Sequence, residues 1–181
     1  LTKEQLQLGF LFGMSGRGED CFGNLENGSL PDVNWIDKYR YQFYTGTLPY
    51  VYLNRYKREK LVGKGGNRVV YYNDDLVVSL KDSTIIHHGQ VLRDKDDLFM
   101  PVLWRGEREY MAYSVKGYTG KSWQLPPDWS DVQSVDIYKI TPSGIFYKSS
   151  EVCADGCVRL SLEPDEAVSV IPSTGRNKSG F

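Results

Sequence analysis

The sequence predicts a mainly β protein: an antiparallel β-sandwich preceded by a short helical segment. Three observations predict it. From about Lys57 the chain runs through short β-branched and aromatic stretches: RVVYY, LVVSL, STIIH, LFMPVLW, EYMAYS, SVDIYKI, GIFYKSS, CVRLSL and AVSVI. Turn residues separate them, among them Asn73-Asp74-Asp75, His88-Gly89, Arg105-Gly106 and Glu163-Pro164-Asp165. Strands with turns every ~8–12 residues are the pattern of a sandwich or barrel. Finally, the helical spacing of apolar residues is confined to the first 56 positions.

Taken in order, residues 1–56 read as helix and loop. Thr2 and Gln5 form a capping box before Leu6, Leu8, Phe10 and Leu11. The stretch FGMSGRGEDCFGNLENGSLPD is loop-like. Asp32 can cap a second helix bearing Trp35, Tyr39 and Phe43 at four-residue spacing, with Gly46 and Pro49 ending it. Leu48 to Tyr56 (LPYVYLNRY) fits a last helical turn or a strand. Residues 57–172 form the sandwich. In SVDIYKI, Val135 and Ile137 fall on one face, Asp136, Tyr138 and Ile140 on the other. RVVYY and LVVSL are apolar nearly throughout, which predicts cover on both sides; the second sheet can supply one cover and a neighbouring domain, such as a barrel, could supply the other. Residues 173–181 are polar and read as a frayed tail.

Composition narrows the function. The 181 residues are 40% hydrophobic and 25% charged, with a net charge of −1. That is a folded chain with no global field for nucleic acid or anionic lipid, so neither nucleic acid nor membrane is an expected partner. No apolar run approaches the ~20 residues of a membrane span. The chain starts at Leu1 without a leader pattern and reads as a processed or truncated product. Asn27-Gly28-Ser29 and Asn177-Lys178-Ser179 fit the glycosylation pattern, which has meaning only in a secreted or cell-surface protein. GKGGN at positions 63–67 lacks the Lys-Ser/Thr and the helix of a phosphate loop, so no nucleotide cofactor is expected. Cys153 and Cys157 bracket Ala154-Asp155-Gly156 in a hairpin, either as a cross-strand disulfide or as two small hydrophobes. With only Cys21 elsewhere and His87-His88 in a turn, the spacing is poor for zinc, and no metal is expected.

The most informative stretch is Gly117 to Gly144, GYTGKSWQLPPDWSDVQSVDIYKITPSG. A Gly-rich loop leads into Trp-x-Leu-Pro-x-x-x-Trp, a tight polar turn, and a period-2 strand closed by Pro-Ser-Gly. This layout resembles the β-sandwich that follows the catalytic barrel in endo-α-N-acetylgalactosaminidases, glycosidases acting on O-linked glycans. Leu48-Pro49 followed by Tyr52-Leu53 is similar to the junction where that family's last barrel helix meets its sandwich. Asp75 to Arg93 resembles its strand-turn-strand element with a His-Gly turn, and Phe99 to Val102 its Pro-containing strand. The pair Cys157–Leu160 and Val168–Pro172 is similar to a closing hairpin common to many glycosidases.

The resemblance implies a supporting role. A retaining glycosidase needs two carboxylates about 5–5.5 Å apart. In that family they lie on barrel strands upstream of everything matched here, so no catalytic residue is assigned in this chain. The implied function is a non-catalytic sandwich domain of a glycoside hydrolase, its partner the catalytic barrel of the same parent protein. An autonomous carbohydrate-binding module is the rival, with a glycan as partner. Candidate substrate contacts are Arg17, Glu19 and Asp20, which would sit on the last barrel loop, and Trp123 and Trp129, whose indoles can stack on the apolar face of a sugar. The bland alternatives are a solvated loop with a surface ion pair for the first three and a capped sandwich core for the tryptophans. Trp104 is a weaker candidate for ligand contact, and Trp35, on the apolar stripe of a helix, reads as core. Tyr39, Tyr41, Tyr44, Tyr50, Tyr52 and Tyr56 suit an interface between barrel and sandwich.

Overall fold

The computed structural model describes residues 48–103, 108–141 and 144–174. Among the described residues a short helix α1 (Leu48–Leu53) is followed by twelve strands. These are β1 (Arg58–Val62), β2 (Val69–Tyr72), β3 (Leu76–Ser79), β4 (Thr84–His87), β5 (Gln90–Asp94) and β6 (Asp97–Pro101), then β7 (Tyr110–Ser114), β8 (Tyr118–Gln124), β9 (Ser134–Thr141), β10 (Gly144–Val152), β11 (Cys157–Leu162) and β12 (Glu166–Pro172). Ten of them form one antiparallel sheet in the order β1-β2-β3-β4-β5-β6-β7-β12-β9-β10, while β8 and β11 pair as a separate ribbon. The mainly β, antiparallel expectation holds.

Period-2 alternation decides which side chains go where. In β6, Leu98 and Met100 enter one core while Phe99 enters another; in β7, Met111 and Tyr113 oppose Tyr110 and Ala112. The central strands are therefore covered on both faces. On one side α1 packs against the sheet, and Leu48, Tyr52 and Leu53 share a core with Val70, Leu76, Val78, Ile85 and Leu92 of β2–β5. On the other, the β8–β11 ribbon lays Trp123, Val158, Leu160 and Leu162 against Val135, Ile137, Val168 and Val170. This second contact is the sandwich.

Three local readings change. The ambiguous segment at Leu48 is helical, and Pro49 lies within α1 rather than ending a helix. β8 occupies what the sequence presents as a Gly-rich loop; only Trp123 of its seven residues is buried, so the polar outward positions hide the strand. β1, fully exposed and at a sheet edge, carries no apolar period at all. The outward face of β2 and β3 also departs from expectation. Val70, Tyr72, Leu76 and Val78 are buried, but Tyr71 is 39% exposed, so these strands are covered on one side only.

The ribbon is fixed by polar contacts as well. Lys121 reaches Asp94 at 3.0 Å and Asp97 at 2.7 Å, and its ammonium sits 4.5 Å from the Trp123 ring centre. Ser114 Oγ donates to Asp97 at 2.6 Å and accepts from the Gly117 amide at 2.8 Å, tying the β7–β8 turn down. Buried Glu166, at the start of β12, is met by Lys148 at 2.8 Å and Lys139 at 3.4 Å. At the β10–β11 corner the pairing is Ala154 with Cys157, around Asp155 and Gly156 at positive φ. This is a two-residue turn. Cys153 is therefore not opposite Cys157, and both thiols are free.

Candidate functional site

Two turns at one end of the large sheet bring the chemistry together. In the β2–β3 turn Asp74 and Asp75 adopt positive φ (65° and 54°), and in the β4–β5 turn His88 and Gly89 do the same (48° and 76°). Asp and Gly suit left-handed backbone, and His tolerates it better than most residues. Leu76 pairs with His87, so the turns lie side by side. The His88 amide donates to Asp75 O at 3.2 Å. Asn73 anchors the first turn to the start of β1: its Oδ1 accepts from the Lys57 amide at 2.6 Å, and its own amide donates to Lys57 O at 2.9 Å.

This lacing gathers Asp74, His87 and His88. His87 Nε2 lies 3.3 Å from Asp74 Oδ2, and His88 Nε2 lies 3.4 Å from Asp74 Oδ1. One donor atom from each of the three residues falls within 4.8 Å of the other two. Adjacent residues on a strand point to opposite faces, but the left-handed turn swings His88 back. The two imidazoles stack with centres 4.2 Å apart. His87 is buried at 8% exposure, walled by α1 and its C-terminal turn: Tyr56 meets its ring edge-on at 4.9 Å, and Tyr52 Oη stands 2.5 Å from Nδ1. Burial first, then the hydrogen bond with Tyr56, pushes the Tyr52 hydroxyl far above its ordinary range, so it stays protonated. His87 Nε2 is buried and, despite its nearness to Asp74, has no hydrogen bond of acceptable geometry. The sequence hints at this cluster only through the positive-φ residue types in two turns, because the spacing of Asp74 from His87 has meaning only once β3 and β4 pair.

The residues singled out from the sequence for sugar contact are placed differently. Arg17, Glu19 and Asp20 lie outside the described residues, as do Trp35, Trp104, Cys21 and both glycosylation sequons. Trp123 and Trp129 are each 2% exposed and belong to the second core, so neither offers a face on which a sugar could stack. Trp123 donates from Nε1 to Tyr118 Oη at 3.0 Å and tilts over Phe99, while Trp129 meets Tyr110 edge-on at 5.3 Å. An indole after two prolines here closes the end of the sandwich.

A cleft of about 280 Å³ lies between Arg108, Asp131 and the end of β12. The Arg108 guanidinium is spent on a bidentate pair with Asp131, at 2.7 and 3.1 Å, which holds the Asp131 carboxyl below its usual range. No family model matches the chain, and no curated protein matches it.

Proposed function

We propose that this chain is a non-catalytic β-sandwich domain that packs against a neighbouring domain, the catalytic barrel of a glycoside hydrolase acting on O-glycans. One observation carries the packing role. Tyr71, Val77, Ile86 and Val91 are successive cross-strand partners over β2–β5, so they share the outward face as one apolar row. Tyr71 and Val91 remain 39% and 37% exposed, and beside them Val62, paired with Val69, is 43% exposed. A contiguous apolar row of this kind supports an interaction face. The burial of Leu48, Tyr52 and Leu53 adds to this reading, because it ties the chain entering from the N-terminal side firmly to the sandwich. The nature of the neighbour rests on the resemblance of the segment Gly117 to Gly144. The binding-module reading loses its stacking platform with the burial of Trp123 and Trp129.

The test has two parts. The reading frame upstream of Leu1 should encode a (β/α) barrel carrying a pair of catalytic carboxylates. In that longer protein, hydroxyl-radical footprinting should leave Tyr71 and Val91 protected, whereas the chain alone should be labelled at both. An upstream frame without a barrel, or equal labelling in the two proteins, overturns the proposal.

A further inference from the structure

We infer that Asp74, His87 and His88 form a binding site for a divalent transition ion of the zinc type, at the point where α1 meets the sheet. The inference is independent of any neighbouring domain. Two imidazoles and a carboxylate are ligands such ions accept, and three protein ligands leave a fourth position open to water. The spacing is within reach of an ion. Donors about 2.0–2.1 Å from a tetrahedral ion stand roughly 3.3 Å apart. The two imidazole nitrogens lie 3.3 and 3.4 Å from different oxygens of Asp74, and one donor atom from each residue falls within 4.8 Å of the others. A small closing movement of the exposed Asp74 and His88 side chains would bring all three onto one ion.

The second observation is the orphaned nitrogen. His87 Nε2 is buried without a hydrogen bond, and it faces the open side of the cluster, where Asp74 stands. An unpaired polar atom in that position carries a desolvation cost that a metal bond would remove. Its ring is already held as a ligand's would be. Tyr52 Oη stands 2.5 Å from Nδ1, and by accepting that N–H it would leave Nε2 unprotonated for the ion, as the outer contact of a ligating histidine does. His88 and Asp74, with side chains 56% and 52% exposed, supply the entry path and the freedom to close around the ion. Bound there, the ion would join the β2–β3 and β4–β5 turns and, through His87 and Tyr52, hold α1 to them.

The experiment is a titration of tag-free protein with zinc chloride, followed by calorimetry and by the imidazole signals in NMR. His87 and His88 are the only two histidines of the chain, so every imidazole signal reports on the site. One ion should bind per chain with micromolar or tighter affinity, both imidazoles should shift together, and the melting temperature should rise with zinc. Asp74→Asn and His88→Asn keep residues that tolerate left-handed backbone, so both variants should fold. Each should weaken binding at least tenfold. Absence of saturable binding, shifts at only one imidazole, or unchanged affinity in both folded variants would overturn the site.

Discussion

At the scale of single residues, burial converts two candidate ligand contacts into structural ones. Trp129 is closed in by Tyr110 and the second core. Trp129→Ala should therefore cost about 3–5 kcal/mol, the usual penalty for truncating a buried large aromatic. Urea unfolding measures this, and a loss below about 1 kcal/mol would return Trp129 to the list of exposed contacts. Glu166 gives a pH signature. Burial pushes its carboxyl up, but hydrogen bonds from Lys148 and the Glu163 amide, with the charges of Lys148 and Lys139, outweigh it and hold the group below its ordinary value. A folded pKa below the unfolded one contributes stability that is present above the ordinary Glu value of about 4.3 and is lost as pH falls through the lowered value. Lys148→Met should thus destabilise the protein at neutral pH and move its acid-unfolding midpoint upward, with the difference from wild type vanishing at the lowest pH. A midpoint unchanged by this substitution, followed by circular dichroism, would remove Glu166 from the acid-stability account.

At the scale of elements, turns decide which strands meet, and glycines separate backbone strain from crowding. Gly117 (φ 75°) and Gly156 (φ 69°) share the left-handed region. A Cβ at Gly156 meets open space, while one at Gly117 would lie 2.8 Å from both Leu162 O and Pro164 N. Gly156→Ala should cost only the left-handed penalty, about 1–2 kcal/mol. Gly117→Ala adds displacement of the β11–β12 connection and should cost about 2–4 kcal/mol. Comparable melting temperatures for the two variants would contradict this ranking. The same elements show what is legible in the sequence. Strands with an apolar period, such as Ser134–Thr141 and Cys157–Leu162, coincide with the runs that announce them. β1 and β8 do not, because an edge strand and a half-covered ribbon present mostly polar, exposed positions to a reader of periodicity. The cluster of Asp74, His87 and His88 is illegible for another reason: its members become neighbours through the antiparallel pairing of β3 with β4, and a linear spacing rule for metal ligands does not anticipate that.

At the scale of the whole molecule, the two faces of the large sheet are unequal. The inner side of β2–β5 is filled by α1 and by buried Val70, Val78, Ile85 and Leu92, so folding does not depend on the outward row. Tyr71→Lys combined with Val91→Lys should therefore lower the urea midpoint only modestly, by about 1–2 kcal/mol of stability from the cross-strand pairs it weakens. Association should respond differently. Each side chain fully buried on docking is worth at most about 1.5–3 kcal/mol. Tyr71 and Val91, already more than half covered by their own sheet, contribute only part of that each. A face spanning four strands should still favour self-association of an isolated domain at high concentration. Sulfate strengthens apolar contacts, so it should increase the effect. Analytical ultracentrifugation of the chain alone should show concentration-dependent dimers or larger species, strengthened by sulfate, and the double lysine variant should sediment as a monomer under the same conditions. A wild-type chain that stays monomeric throughout would show the row to be too small to act as a docking face. A variant that is strongly destabilised would place Tyr71 and Val91 in the fold's own core. Either result would remove the main support for a neighbouring domain.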